Sequence, residues 1–154
     1  MEDMDQKNIL KKCTKDSSDF SFKGHETYAK CLEVYDGDTC RLKFFYQNQI
    51  YQYLCRMKGY NTWELRPKKI GRSEESINKE KELALNAKKR LEELIANKKK
   101  LVYIKLENFD KYGRPLIYIY LDEHDKKSIN EIMIEEKYGK PYEGGAKPNF
   151  EDKN

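Results

Sequence analysis

Alternating apolar and polar positions predict three strands in the first half of the chain. They cover residues 28–35, 39–46 and 50–57. The first two are joined by Asp36-Gly37, a strong hairpin signal because such a turn needs a positive φ. Residues 47–49 form the next turn. Strands joined by hairpins are antiparallel, so this part of the chain predicts an antiparallel sheet.

Helical periodicity replaces the alternation after an irregular segment at residues 59–72. That segment is basic, with Arg66, Lys68, Lys69 and Arg72 around Pro67 and Gly71. Ser73 is a typical helix-capping residue, and two glutamates follow it at the positive end of the helix dipole. The apolar positions that recur at helical spacing are Leu83, Ala87, Leu91 and Leu94. The pattern predicts a helix from Ser73 to Asn97.

Two further strands and a second helix complete the pattern. The strands cover residues 101–106 and 115–121, and the helix covers residues 128–138 with Ile129, Ile132 and Met133 facing inward. Three strands, a helix, two strands and a helix predict an α+β fold, a five-stranded Greek-key barrel of the OB type with flanking helices. We expect this domain at residues 26–146. Residues 1–25 are predicted to be a mobile leader with a short helical stretch near Ile9-Leu10, and residues 147–154 a polar tail.

Composition limits the class of protein. The chain has 154 residues, of which 38% are charged, yet its 12 Tyr, 6 Phe and 1 Trp argue against complete disorder. The net charge of +4 does not by itself indicate nucleic-acid binding. No apolar run has the length of a membrane span and no signal peptide is visible, so we expect an intracellular monomer, cytoplasmic or nuclear, without a membrane partner. The four cysteines lack metal-site spacing, which predicts reduced thiols and no zinc.

Three short segments combine charged side chains with turns, and each is open to a plain structural interpretation. Asp36-Gly37-Asp38-Thr39 is either a hairpin turn alone or a carboxylate presented to a hard cation. Residues 56–64 are either a solvated loop or an arginine for phosphate with a glutamate that activates water. Residues 110–114, DKYGR, are either a tight polar turn or a second arginine beside a tyrosine. His25 and His124 lie outside all three and are predicted to be surface histidines.

In this order the segments resemble the staphylococcal nuclease family over about residues 27–145. The matching features are DGDT, R-x4-[D/N]-T-x-E, a helix, DKYGR-x-L-x-YIY, and a helix that begins near Asn130-Glu131. The resemblance implies an OB barrel with flanking helices. It also implies calcium-dependent hydrolysis of DNA and RNA phosphodiesters with little sequence preference, leaving 3′-phosphate ends.

The resemblance further implies a role for each matching residue. Calcium would be held by Asp38, Asn61 and the backbone carbonyl of Thr62. Arg56 and Arg114 would bind the reacting phosphate, and Glu64 would be the general base. Lys111 and Tyr112 would contact a terminal phosphate, and Tyr142 would lie near the base.

Three departures from the family pattern keep other functions open. Asn61 stands where the family has an aspartate, Trp63 stands where it has a proline, and the family's long C-terminal helix has no counterpart. The rival to an enzyme is therefore a weakened or inactive OB module that binds nucleic acid or protein. A purely structural OB domain is a third possibility, but it leaves Arg56, Glu64 and Arg114 unexplained.

Overall fold

The computed structural model describes residues 3–15, 19–96 and 98–145. Its helices are α1 (Asp3–Lys11), α2 (Glu74–Ile95) and α3 (Ile129–Glu135), with a short 3-10 turn at Lys98–Lys100. Its strands are β1 (Glu26–Asp36), β2 (Thr39–Tyr46), β3 (Gln49–Met57), β4 (Tyr60–Asn61), β5 (Leu101–Phe109), β6 (Pro115–Tyr120) and β7 (Lys140–Pro141). None of these helices is long and apolar enough to cross a membrane.

Five strands close into a barrel in the order β1-β2-β3-β6-β5, which confirms the predicted fold class. The hairpin-linked pairs are antiparallel as expected, but β3 and β6 pair in parallel, with Arg56 opposite Leu116 and Met57 opposite Ile117. The sheet is therefore mixed. This parallel pair joins strands separated by α2 and β5, so no local turn signal marks it.

The barrel interior is filled by the inward positions of the alternating strands. Cys40, Leu42 and Phe44 of β2 and Ile117 and Ile119 of β6 are each no more than 2% exposed. The helix α2 packs against β1 and begins at the predicted capping residue, since the Ser73 side chain accepts a hydrogen bond from the Ser76 amide.

The buried stripe of α2 differs partly from the predicted one. Ala87 and Leu91 are buried as predicted, but Leu83 and Leu94 are only half-buried. The buried positions also include Ile77, Glu80, Ala84 and Ile95. The prediction counted apolar residues alone, and it therefore missed a buried glutamate. In α3, Ile129 and Met133 are buried as predicted, whereas Ile132 is half-buried and Asn130 is buried.

Asn130 fixes the end of β3 against β6. Its side-chain oxygen accepts a hydrogen bond from the Ile119 amide at 3.0 Å, and its nitrogen donates to the Lys58 carbonyl at 2.8 Å and the Ile117 carbonyl at 3.0 Å. All these partners lie just past β3 or within β6. The barrel end that carries Arg56 is thus held by a buried, fully bonded amide.

Packing on the barrel begins before β1, inside the predicted leader. Phe22 is 1% exposed, and its ring lies against the rings of Phe44, Tyr46 and Tyr53 at centroid distances of 5.0–5.5 Å. Residues Ile9 and Leu10 lie in α1, where both are exposed. The domain boundaries stay predictions, and the predicted tail at 147–154 lies outside the described residues.

Candidate active site

A cleft of about 1000 Å³ lies at one end of the barrel, and the nine predicted site residues all line it. They are Asp38, Arg56, Asn61, Thr62, Glu64, Lys111, Tyr112, Arg114 and Tyr142. The β1–β2 turn, the end of β3, the β5–β6 turn and the segments around β4 and β7 contribute them. Residues far apart in the chain therefore meet because the strand ends meet.

Asp38 is the least exposed of these residues, at 3%. One carboxylate oxygen accepts a hydrogen bond from the Thr39 hydroxyl at 3.0 Å, and the other accepts one from the Thr62 amide at 3.1 Å. Gly37 allows this approach, because a Cβ there would lie 2.7 Å from Thr62 Cγ2 and 2.8 Å from Ala87 Cβ. The hairpin turn thus packs directly on the Thr62 segment.

A second carboxylate lies beside Asp38. Asp36 accepts a hydrogen bond from the Asp38 amide at 3.1 Å. Burial, followed by the negative charge of Asp38, raises the pKa of Asp36 to about 7. A bound cation would relieve this repulsion. The Asp38 carboxylate and the Asn61 amide oxygen are hard donors of the kind that calcium prefers, so the residues fit such an ion, with one carboxylate fewer than the family pattern.

Arg56 is turned toward these same oxygens. Its Nη2 lies 3.4 Å from Asp38 Oδ2, donates to the Tyr60 carbonyl at 3.2 Å, and makes a very short hydrogen bond to Asn61 Oδ1. The guanidinium also lies over the Tyr142 ring, with Cζ 5.9 Å from the centroid. Its side chain is only 16% exposed, so Arg56 neutralises the Asp38 carboxylate within the protein.

Arg114 is held by an aspartate that the sequence analysis did not single out. Asp110 Oδ2 accepts from Arg114 Nε at 2.7 Å, and Oδ1 accepts from the amides of Tyr112 and Arg114 at 2.9 Å. An aspartate at the start of a turn commonly accepts a hydrogen bond from the amide two residues later. This turn signal could have identified Asp110 from the sequence. Lys111 Nζ and Arg114 Cζ lie 5.2 and 5.3 Å from the Tyr112 ring, so the turn presents two cations beside an aromatic face.

Glu64 is exposed in the cleft, and its backbone is anchored from α2. The Glu64 amide donates to Glu80 Oε2 at 3.0 Å, while Glu80 Oε1 lies 2.7 Å from Arg72 Nη1. Arg72 of the basic segment is therefore paired with a buried carboxylate and is not a solvated cation. Lys68 and Lys69 are exposed.

A cluster of three side chains with metal-binding chemistry lies outside the cleft. The ligand atoms of Asp122, Glu123 and His124 lie within 4.8 Å of one another on the turn after β6, and none of the three lines the cleft. The side chain of His124 is 88% exposed, as predicted, and His25 is half-buried with Nε2 2.9 Å from the Phe45 carbonyl oxygen.

Comparison with known families agrees with this geometry. The family model of the staphylococcal nuclease homologue matches residues 61–154, which is more than half of the chain. The matched range contains Asn61, Thr62, Glu64 and the 110–114 turn; Asp38 and Arg56 precede it and line the same cleft. No curated protein matches the sequence. The chain belongs to the staphylococcal nuclease homologue family.

Proposed function

We propose that the protein is a calcium-dependent phosphodiesterase that cleaves DNA and RNA with little sequence specificity. The observation that carries this proposal is the meeting of two arginines, an exposed glutamate and a buried aspartate in one cleft. This set can bind a phosphate, hold a cation and accept a proton. A single binding surface would not require all three kinds of group.

Phosphate binding is assigned to the two arginines. An arginine fork matches phosphate oxygens in a bidentate geometry. Among the described residues, the terminal nitrogens of Arg114 make no hydrogen bond, since its Nε takes the contact with Asp110. Lys111 and Tyr112 would contact a terminal phosphate, and Tyr142 would lie against a base. These contacts address phosphate and ring faces, which carry little sequence information.

The chemical step is a displacement at phosphorus. Asp38, Asn61 and the Thr62 carbonyl would hold the calcium ion, which when bound supplies polarisation of a phosphate oxygen and activation of water. Glu64 accepts a proton from the attacking water as the water oxygen forms the new bond to phosphorus. The bond to the 5′ oxygen breaks, and that oxygen takes up a proton from solvent. Arg56 and Arg114 stabilise the charge that develops on the remaining oxygens.

The second candidate is a module that binds nucleic acid or protein without cutting it. Two observations favour it: Asn61 removes one negative charge from the cation site, and Arg56 already neutralises Asp38. In this case the cleft would keep its phosphate contacts and lose turnover.

Replacing each arginine separates the two candidates. Arg56→Ala and Arg114→Ala should each lower turnover by roughly 10²-fold or more, because each removes a charge that acts on the transition state. Arg41→Ala is the matched control, since Arg41 lies on the barrel surface in an exposed pair with Glu33 and not in the cleft. Circular dichroism checks that each variant folds. Cleavage by the wild type that neither arginine variant reduces would contradict the proposal, and a wild type that binds DNA without cutting it would favour the module.

A further inference from the structure

Glu80 is a charged side chain in the buried stripe of α2. It is 4% exposed, between the buried residues Ile77 and Ala84 on the same helix. A buried carboxylate is costly unless both of its oxygens are bonded. Here one oxygen pairs with Arg72 at 2.7 Å, and the other accepts from the Glu64 amide at 3.0 Å. Both partners belong to the segment that precedes the helix, so the carboxylate connects α2 to that segment.

Arg72 extends the same connection. Its Nη1 also donates to the Lys68 carbonyl at 3.0 Å, and its Nη2 donates to the Ser76 hydroxyl at 2.9 Å. The loop is therefore bonded to α2 at Glu64 and at Arg72, and its middle, at Lys68, is bonded to Arg72. We call Glu80, Arg72 and the Glu64 amide the Glu80 clamp. Lys69 and Ile70 at the loop tip remain exposed.

The clamp has a counterpart on the barrel side. The Thr62 amide is held by Asp38, and the Glu64 amide, two residues on, is held by Glu80. Two buried carboxylates, one from the β1–β2 turn and one from α2, thus fix alternate amides of one short segment. Glu64 lines the cleft, so a movement of this backbone moves its side chain.

We infer that Glu80 is a positioning residue for Glu64, acting through the Glu80 clamp. The inference rests on the proposed function, in which Glu64 accepts a proton from water. Loss of the clamp frees the segment that carries Glu64 and leaves Arg56 and Arg114 in place. It should therefore lower kcat and leave KM nearly unchanged, because a displacement of about 1 Å can cost roughly 10²-fold in rate.

The test uses two variants of the buried pair in the full chain. Replacing Glu80 alone would leave Arg72 without its charge partner and could unfold the protein, whereas apolar replacement of both partners is often tolerated. The first variant combines Glu80→Met with Arg72→Met. The second combines Glu80→Gln with Arg72→Met and keeps an acceptor for the Glu64 amide. Glu82→Gln, at an exposed position of the same helix, is the matched control.

We expect the first variant to lower kcat by roughly 10–100-fold with KM changed by less than about threefold, and the second to recover part of kcat. Hydrogen exchange at the Glu64 amide should become faster in the first variant and not in the control. Unchanged kcat in a folded first variant overturns the positioning role. If the wild type has no turnover at all, the proposed function is wrong, and amide exchange then tests the clamp alone. Equal exchange at the Glu64 amide in the wild type and the first variant overturns the clamp.

Discussion

Replacing Gly37 by alanine tests whether the hairpin turn packs on the candidate site. The new Cβ would lie 2.7 Å from Thr62 Cγ2 and 2.8 Å from Ala87 Cβ. Carbon atoms in contact are normally about 3.5–4.0 Å apart, so Thr62 or α2 must move by roughly 1 Å. Overpacking of this kind costs about 1–3 kcal/mol of unfolding free energy. For a domain of this length, that lowers Tm by about 2–4 °C per kcal/mol.

The same displacement should also lower turnover. Thr62 donates its amide to Asp38, so moving it disturbs the carboxylate proposed to hold the cation. We expect turnover at a temperature where the variant is folded to fall by roughly 10²-fold. Thermal melting by circular dichroism and initial nuclease rates measure the two effects separately.

A second substitution identifies the contact responsible. Ala87→Gly removes one of the two blocking carbons, so the Gly37→Ala protein should have a higher Tm with Ala87→Gly added than with Ala84→Gly added. Ala84→Gly is the matched control, because Ala84 is equally buried on the same helix and its replacement carries the same helix-propensity cost of about 1 kcal/mol. Wild-type Tm and turnover in Gly37→Ala would refute the reasoning, as would equal Tm values in the two double variants.

Three further predictions follow from the site and the surface. Asn61→Asp adds a negative charge to the donor set and should tighten calcium binding by roughly one or two orders of magnitude in calorimetric titration. Replacing both Lys68 and Lys69 by serine should weaken DNA binding and reduce the salt slope by up to about 0.9 for each phosphate that a lysine no longer neutralises. Arg90→Ala should lower Tm at pH 7, because hydrogen bonds from Arg90 hold the pKa of Glu136 below its usual value. A depressed carboxyl pKa stabilises the fold only while the group is ionised, so wild type and variant should converge as the pH falls through the pKa of Glu136.

Each of these has a control or a contrary result. Unchanged calcium affinity in Asn61→Asp would mean that position 61 does not face the ion. Replacing Lys88 and Lys89 of α2 by serine removes the same charge. This control should reduce the salt slope of DNA binding less than replacing Lys68 and Lys69 does. A Tm difference between Arg90→Ala and wild type that persists at acid pH, with Glu136 protonated, would show that the Glu136 carboxylate is not its source.

Local patterns in the sequence predict most of the barrel, and the family resemblance implies the grouping of the site. Alternation gives the five barrel strands because each has one face in the core, and Ser73 is a capping residue in both pattern and structure. The resemblance of the DGDT, 56–64 and DKYGR segments, in this order, to the staphylococcal nuclease family implies that they belong together. The barrel places them together because each lies where a strand ends.

The features that the sequence does not predict are contacts between distant segments and buried polar side chains. No turn signal in the sequence indicates the parallel β3–β6 pair. The strands β4 and β7 have two residues each, which is too short for a pattern of alternating apolar and polar positions. Arg72 lies in a basic run typical of a solvated loop, and Glu80 interrupts an apolar stripe. Neither residue reveals the other in sequence, because their pairing depends on how the loop folds back on α2.

The central claim is tested most directly by release of acid-soluble nucleotides from DNA and RNA by the purified protein, with calcium and with a chelator. Arg114→Ala is measured in parallel. The account predicts release in calcium, loss of release with chelator, and a reduction of roughly 10²-fold or more in the variant. Retention of DNA binding without release at any calcium concentration would contradict it. Release that neither the chelator nor the Arg114 substitution affects would contradict it equally.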